Sequence, residues 1–446
     1  MRRALLDVGD GRRRRRENSR SSCAPTKRMP RGTVRCRTKT DKVGGALMTS
    51  GRRFAVITIT GSPRERGRQY GEAACTQIAR SFANYLPRLR QRGLGSGGEM
   101  DVRVARFHTM IGDSSPDLVD EMAGLADGFG CPLSDVIALN ARTELLFGEQ
   151  SDGCTGAVLL PVRTKNRTII GQNWDWWPDA GNGAIILRIM RDSAPSILTF
   201  VEAGMLARSG MNDAGLGLCG NFLECDGPKG GEGLPIPVIR RAILSSSTLD
   251  EAVEAVRRSP RAFATNHLIA HADGAVIDLE ATPLEVFSVF ADAGLLIHAN
   301  HFISSTATAK LTDRGITRFP DTLFRDVQVR KALDQAGDHI GVEDLMTAFK
   351  DHCGYPVSVC RHQTPEQEES AIETVASLVM DLCEHTMWIA AGPPCTEPYL
   401  PVFLNANQDS RIVGEADARA AARTPRHTEA PDARGAGADA EGGTVG

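Results

Sequence analysis

No stretch of this 446-residue chain approaches the roughly 20 consecutive apolar residues that a bilayer-spanning helix needs, so a membrane function is not expected. Neither sign of charge prevails. The 52 Lys and Arg stand against 55 Asp and Glu, and a net charge of −3 gives no broad basic field for nucleic acid. No GxxxxGK[ST] loop occurs, which excludes that phosphate cradle. The 11 cysteines are odd in number and contain no CxxC pair, so reduced thiols of a cytoplasmic protein are expected in place of a disulfide framework. What is present, 41% hydrophobic and 24% charged residues, is the composition of a soluble enzyme with a core of domain size or larger.

The ends differ from the middle. Residues 1–50 carry Arg12 to Arg16 as an unbroken run with almost no apolar period, and read as a disordered basic leader without the apolar segment of a secretory signal. Met48 stands as an alternative start. Residues 406–446, rich in Ala, Gly, Arg and Asp from Ala416 onward, read as a disordered tail, and Thr444-Val445-Gly446 is not a peroxisomal address.

Between these ends the periodicity predicts helices first and strands later. Ala73 to Arg90 reads as a helix, and Ser115-Pro116 opens another that Gly130 ends. Strands are predicted at 185–190, 197–202 and 216–220, then helices at 238–244 and 249–258, the second opened by the capping box Thr248-Leu249-Asp250-Glu251. Strands return at 268–271, 276–280, 286–290 and 295–299, followed by helices near 323–333 and 342–349 and a closing hairpin at 374–381 and 386–391. Such runs indicate an α+β protein with sheets covered by helices.

The run Ser151-Asp152-Gly153-Cys154-Thr155 reads as a place where the chain cuts itself. Directly after it, an apolar β-prone stretch to Leu160, a polar turn from Arg163 to Arg167, and a second strand to Asp175 form a hairpin. Its second strand brings Asp175 back toward Cys154, where a carboxylate can hold an amine. A thiol behind an unhindered glycine carbonyl can attack it to give a thioester, which water then splits. The freed α-amine has a reference pKa of about 7.7 to 8.0 and is bonded to the residue that bears the nucleophile, so Cys154 supplies both nucleophile and base.

Seven blocks occur in order between about residues 54 and 405: Gly61-Ser62-Pro63-Arg64-Glu65-Arg66-Gly67, Leu139-Asn140-Ala141-Arg142-Thr143-Glu144, Asp152-Gly153-Cys154-Thr155, Gly171-Gln172-Asn173-Trp174-Asp175, Glu202-Ala203-Gly204, Asn300-His301 and Tyr355-Pro356-Val357-Ser358-Val359-Cys360-Arg361. In them the chain resembles the acyl-coenzyme A:6-aminopenicillanic acid (isopenicillin N) acyltransferase family of self-cleaving N-terminal-nucleophile hydrolases, the peptidase C45-like group. The resemblance implies a four-layer αββα sandwich, with a propeptide-like helical segment at 51–153 and a nucleophile-bearing segment at 154–405 that remain together as a heterodimer after cleavage. It implies catalytic roles for Cys154, Asp175, Asn300 and Arg361: Asp175 orients the amine and thiol, Arg361 favours the thiolate and steadies Asp175, and Asn300 donates to an oxyanion. Asn221 is a second candidate for that donor. Trp176 and Trp177 stand where the fungal enzyme has two phenylalanines, and are candidates for a wall of the substrate pocket. No bound cofactor is implied, although a coenzyme A thioester can serve as acyl donor. His298 and His301 form an H-x-x-H pair with no companion ligands at metal spacing, so no metal is expected. The function implied is hydrolysis or transfer of an acyl group on a small amide, of penicillin type or another N-acyl amino compound. Two alternatives are a hydrolase of β-alanyl amines and a non-catalytic binding protein of the same fold.

Overall fold

Residues Gly153–Leu159 and Ile169–Trp176 are buried along their whole length and pair as an antiparallel hairpin. The computed structural model describes residues 52–146, 153–227, 232–364 and 372–406; the leader, Asp152 and the tail beyond 406 lie outside the described residues. In chain order the elements are β1 (Ala55–Ile59), α1 (Pro63–Ala73), α2 (Cys75–Gln91), α3 (Glu99–Ser114), α4 (Pro116–Phe129), α5 (Leu133–Asn140), α6 (Arg142–Leu145), β2 (Gly153–Leu159), β3 (Ile169–Trp176), β4 (Ala184–Ile189), β5 (Ile197–Glu202), β6 (Ser209–Asn212) and β7 (Leu216–Cys219). They continue with α7 (Ile236–Ser245), α8 (Leu249–Arg258), β8 (Thr265–His271), β9 (Val276–Ala281), β10 (Val286–Val289), β11 (Leu295–His298), α9 (Ser305–Lys310), α10 (Gly315–Arg318), α11 (Thr322–Gln335), α12 (Val342–Ala348), β12 (Glu373–Asp381), β13 (Thr386–Ala390) and β14 (Leu400–Phe403).

Two sheets result, an eight-stranded one in the order β1-β4-β5-β6-β7-β8-β9-β10 and a six-stranded one in the order β11-β2-β3-β12-β13-β14. Helices α1–α5, α7 and α8 share a core with the outer face of the larger sheet. A second core, with Val158, Trp174, Phe200 and Leu378, lies between the sheets, and a third joins the smaller sheet to α11 and α12. The expected αββα sandwich is therefore present. Strand alternation assigns the faces of β2: Cys154 and Val158 enter the core between the sheets, whereas Ala157 and Leu159 face α11 and α12. No helix among the described residues is long and apolar enough to cross a membrane.

Most predicted elements lie where the pattern puts them, and the departures are instructive. Helix α4 runs from Ser115 as its N-cap to Gly130 in the left-handed conformation, but the Ser115 side chain makes no capping bond. At α8, Thr248 accepts from the Glu251 amide, while Glu251 bonds the amide of Ser247 instead of Thr248 and so completes only half the expected box. A full capping box stands unforeseen at α1, between Ser62 and Glu65. Helix α1 escapes a periodic reading because it is polar and contains two glycines, each unfavourable in a helix by about 0.8–1.0 kcal/mol relative to Ala. Those glycines let it touch α4 backbone to backbone. A Cβ on Gly67 would fall 1.9 Å from the Glu121 carbonyl oxygen, and one on Gly124 2.1 Å from that of Arg64; Gly71 and Gly128 are equally tight. The reduced-thiol expectation needs one correction: Cys75 is disulfide-bonded, while the other eight described cysteines form no disulfide.

Candidate active site

Cys154 is the second residue of β2 and is fully buried, paired across the hairpin with Trp174, while Gly153 pairs with Asp175. Its thiol faces the larger sheet. There Nη2 of Arg208 lies 3.6 Å from Sγ, and the same guanidinium lies 4.1 Å from the centre of the Trp174 ring. A cation over an aromatic face beside a thiol favours the thiolate. The backbone of Cys154 is gripped from the opposite face: its N–H donates to Asn300 Oδ1 at 2.8 Å, and its carbonyl accepts from Arg325 Nη1 at 2.6 Å.

Arg325, in the first turn of α11, is the hub of this face. Besides the Cys154 carbonyl it reaches Thr155 Oγ1 at 2.7 Å, Asn300 Oδ1 at 2.8 Å and, through Nε, Asp321 at 2.8 Å. Asp321 also accepts from Arg361, whose Nε stands 3.4 Å from Asp175. Asp175 accepts from Thr374 at 2.7 Å. Two carboxylates and two guanidiniums, all buried, thus form one balanced chain of charge, the arrangement that burial of ions requires. Burial pushes the Asp175 carboxyl up to about 6, against the pull of Arg361, Arg325 and Thr374.

The hairpin register places Asp175 opposite Gly153, at the head of β2. A Cβ on Gly153 would stand 3.0 Å from the Asp175 carboxylate and 3.1 Å from Ile372, so glycine is the residue that fits there. Arg361 Nε lies 3.4 Å from the Asp175 carboxylate, and Arg208 Nη2 lies 3.6 Å from the Cys154 thiol.

Asn300 follows β11. Its Oδ1 receives two N–H donors, which fixes the amide orientation, and its Nδ2 donates to the Phe222 carbonyl at 3.0 Å. In the unbroken chain its donor is therefore engaged, and an oxyanion role requires its release. Both donor hydrogens of Asn221 are spent on the His298 and Ala299 carbonyls at 2.9 Å, immediately before Asn300. The H-x-x-H pair is taken up by hydrogen bonds. His298 donates to the Ala299 carbonyl at 2.8 Å and to Glu280 at 3.0 Å, with Asp278 at 3.4 Å, and His301 meets Thr322 at 2.9 Å. Two acceptors on one imidazole call for the doubly protonated ring. Burial opposes that charge, but Asp278 and Glu280 outweigh it and hold the His298 pKa up to about 9.

Trp176 is 3% exposed, stacks on Trp174 and donates to the Tyr85 hydroxyl at 2.9 Å. Trp177 is half-buried beneath Arg88. Both thus contact α2. Sequence reasoning does not single out Arg208, Asp321, Arg325 or Thr374. The i, i+4 pair of Asp321 and Arg325 at a helix start is a weak signal for two of them; Arg208 carries none.

The model of the family described as AAT, acyl-coenzyme A:6-aminopenicillanic acid acyl-transferase, matches residues 162–395. The chain is 26% identical over 361 residues, 80% of its own length and 98% of the relative's, to the acyl-coenzyme A:6-aminopenicillanic-acid-acyltransferase 40 kDa form of Emericella nidulans. Among solved structures, a variant of conjugated bile acid hydrolase from Clostridium perfringens is similar with TM-score 0.43 and 15% identity, covering 56% of this chain and 93% of that one. Penicillin V acylase from Agrobacterium tumefaciens is similar with TM-score 0.37 and 16% identity, covering 57% and 89%.

Proposed function

Since the chain belongs to the acyl-coenzyme A:6-aminopenicillanic acid acyl-transferase family, we propose that it is a self-processing N-terminal cysteine enzyme that transfers or hydrolyses an acyl group on a small amide. The observation that carries this reading is the grip on the Cys154 backbone nitrogen by Asn300. In the first step the Cys154 thiol adds to the Gly153 carbonyl; the peptide C–N bond breaks, the nitrogen takes a proton, and a thioester joins Gly153 to Sγ. Water then cleaves the thioester, leaving a Gly153 carboxylate, a free thiol and an α-amine. That amine is the nitrogen already bonded to Asn300, and Asp175 at the Gly153 position stands beside it, so a base forms in a prepared place.

In the second stage the thiol attacks the substrate acyl carbon, the amine accepting the thiol proton and returning one to the leaving group. An amine or water resolves the resulting thioester. Arg208 stabilises the sulfur anion in both stages. Substrates of penicillin type, with a coenzyme A thioester as a possible acyl source, follow from the name of the Emericella relative.

Cleavage need not release the first fragment. Strand β1 is hydrogen-bonded in the larger sheet beside β4, Glu121 pairs with Arg241, Arg142 pairs with Glu202, and Tyr70 accepts from the Gly204 amide at 2.8 Å. These contacts cross the cut and support a heterodimer of the two fragments.

Intact-mass measurement of the purified full chain tests the proposal. Two fragments are expected, the heavier beginning at Cys154, and a single uncut chain is expected for Cys154→Ala, with no turnover of N-acyl substrates. Cleavage that persists in Cys154→Ala would place the nucleophile elsewhere.

A further inference from the structure

Some distance along the chain from the nucleophile, four side chains converge on one point. His352 lies in the turn after α12, Cys360 and His362 lie on either side of Arg361, and Cys395 lies in the turn after β13. Their ligand atoms are all within 4.8 Å of one another. His362 Nε2 stands 3.1 Å from His352 Nε2, 3.4 Å from Cys360 Sγ and 3.4 Å from Cys395 Sγ.

Hydrogen bonding accounts for this convergence only in part, through the bond between the Cys360 and Cys395 side chains, because His362 Nε2 alone faces three neighbours. One imidazole nitrogen either donates its single proton or accepts at its single lone pair, so it can satisfy one of three neighbours. A metal ion at the centre satisfies all four groups. With zinc bonds of about 2.3 Å to sulfur and about 2.0–2.1 Å to nitrogen, a tetrahedron has edges of roughly 3.3 to 3.8 Å between its ligand atoms, close to the separations seen here. Two thiolates also balance the charge of a divalent cation, and two neutral imidazoles complete a set that suits zinc.

The surrounding backbone is built to present these groups. The turn closes on itself through the Cys360 amide to the Asp351 carbonyl at 3.0 Å and the His362 amide to the Pro356 carbonyl at 3.0 Å. The Ser358 hydroxyl donates to the Cys360 carbonyl at 2.6 Å. In the other turn, the amides of Thr396 and Glu397 both donate to the Pro393 carbonyl at 3.0 Å and hold Cys395 toward the first. Cys360 is buried, His362 half-buried, and His352 and Cys395 exposed, so an ion has a route in from solvent.

We propose that His352, Cys360, His362 and Cys395 form a structural site for one zinc ion, which ties the turn carrying Arg361 to the turn after β13. Four protein ligands leave no open position on the metal, so the site holds structure and does no chemistry. Its place in the chain gives it a purpose. Cys360 and His362 are the two neighbours of Arg361, and an ion bound to both fixes the backbone from which that guanidinium reaches Asp175 and Asp321. The site does not rest on the acyl-transfer reading, because metal content is measured independently of cleavage or turnover.

The test uses the full chain, purified without chelators and without a metal-affinity tag. Elemental analysis is expected to find about one zinc per chain. Cobalt exchanged into the site is expected to give the intense thiolate-to-metal absorption and the visible bands of a tetrahedral two-sulfur, two-nitrogen complex. Cys395→Ser, in an exposed turn, is expected to fold and to lose both signals; Cys353→Ser, at an exposed thiol in the same turn as His352 but outside the cluster, is expected to keep them. Three results would each overturn the proposal: no stoichiometric zinc or tetrahedral cobalt spectrum in the wild-type chain, full retention of metal in Cys395→Ser, or recovery of a Cys360–Cys395 disulfide from protein digested without reductant.

Discussion

Gly153 and Arg208 illustrate how little of a side chain's role lies in its own identity. Gly153 matters for what it leaves empty. A methyl group there would press on the Asp175 carboxylate and on Ile372, and the neighbours would have to yield by a few tenths of an ångström. Gly153→Ala is therefore expected to fold and to slow self-cleavage by about tenfold or more, each factor of ten corresponding to ~1.4 kcal/mol at the barrier. Time-resolved mass spectrometry of freshly made chain would show it, and a wild-type rate would remove the steric argument. Arg208 is an ordinary arginine in sequence, yet its guanidinium meets the thiol at 3.6 Å. An opposite charge this close lowers an acid's pKa, so Arg208→Gln is expected to move the acid limb of kcat/KM upward by about one pH unit or more. A limb that stays in place would assign the thiolate to another partner.

Secondary-structure elements are joined here by backbone as much as by side chains. The crossing of α1 and α4 depends on Gly67, Gly71, Gly124 and Gly128, whose missing side chains let the two helices approach until main chain meets main chain. Gly124→Ala forces them apart and is expected to cost about 1–3 kcal/mol of stability. Gly112→Ala in α3 is the matching control: its Cβ would make only an ordinary 3.8 Å contact with Val119, so a gain of roughly 0.4–1 kcal/mol is expected from the stiffer unfolded chain. Thermal unfolding of the two variants checks the pair, and equal effects would refute the close crossing. The β2–β3 hairpin works in the opposite way. Its alternation sends the Cys154 side chain between the sheets and the Thr155 side chain to α11, so one strand presents its thiol to Arg208 and its carbonyl to Arg325.

Across the molecule, stability and site geometry are linked through buried charge. His298 holds the turn that leads into Asn300, donating to the Ala299 carbonyl and to Glu280, which in turn accepts from the amides of Ile303 and Ser304. Burial acts against its charge, yet Asp278 and Glu280 keep its pKa at about 9 in the folded chain, against an ordinary value of 6.5. A raised pKa means that the folded state binds this proton more tightly than the unfolded state. The contribution is therefore complete below pH 6.5 and is lost as pH rises to about 9. The unfolding free energy is expected to fall across that window by on the order of 3 kcal/mol, and His298→Gln is expected to flatten the slope. Denaturant titrations at several pH values measure it; an unchanged slope in the variant would assign the dependence to other groups.

Local rules account for what could be read in advance. Pro116 and Gly130 bound α4 because one residue pre-sets a helical φ and the other accepts a positive one. The two apolar runs after Gly153 pair because a short polar turn joins them, and that pairing alone carries Asp175 to the start of β2. None of this reasoning could reach Arg208 or Arg325. Their contacts with Cys154 span 54 and 171 residues of chain, and such contacts arise only when two sheets and a helix have stacked. Helix α1 stayed hidden for the same reason, since its glycines are unfavourable locally and acquire their use against α4. Seven ordered blocks pointed to the family and, by resemblance, to Cys154, Asp175, Asn300 and Arg361 as candidates. Which guanidinium faces the thiol, which way the Asn300 amide turns, and how four buried charges balance were decided by the layers that enclose them, because a charge removed from water must find its partner wherever the fold has brought one.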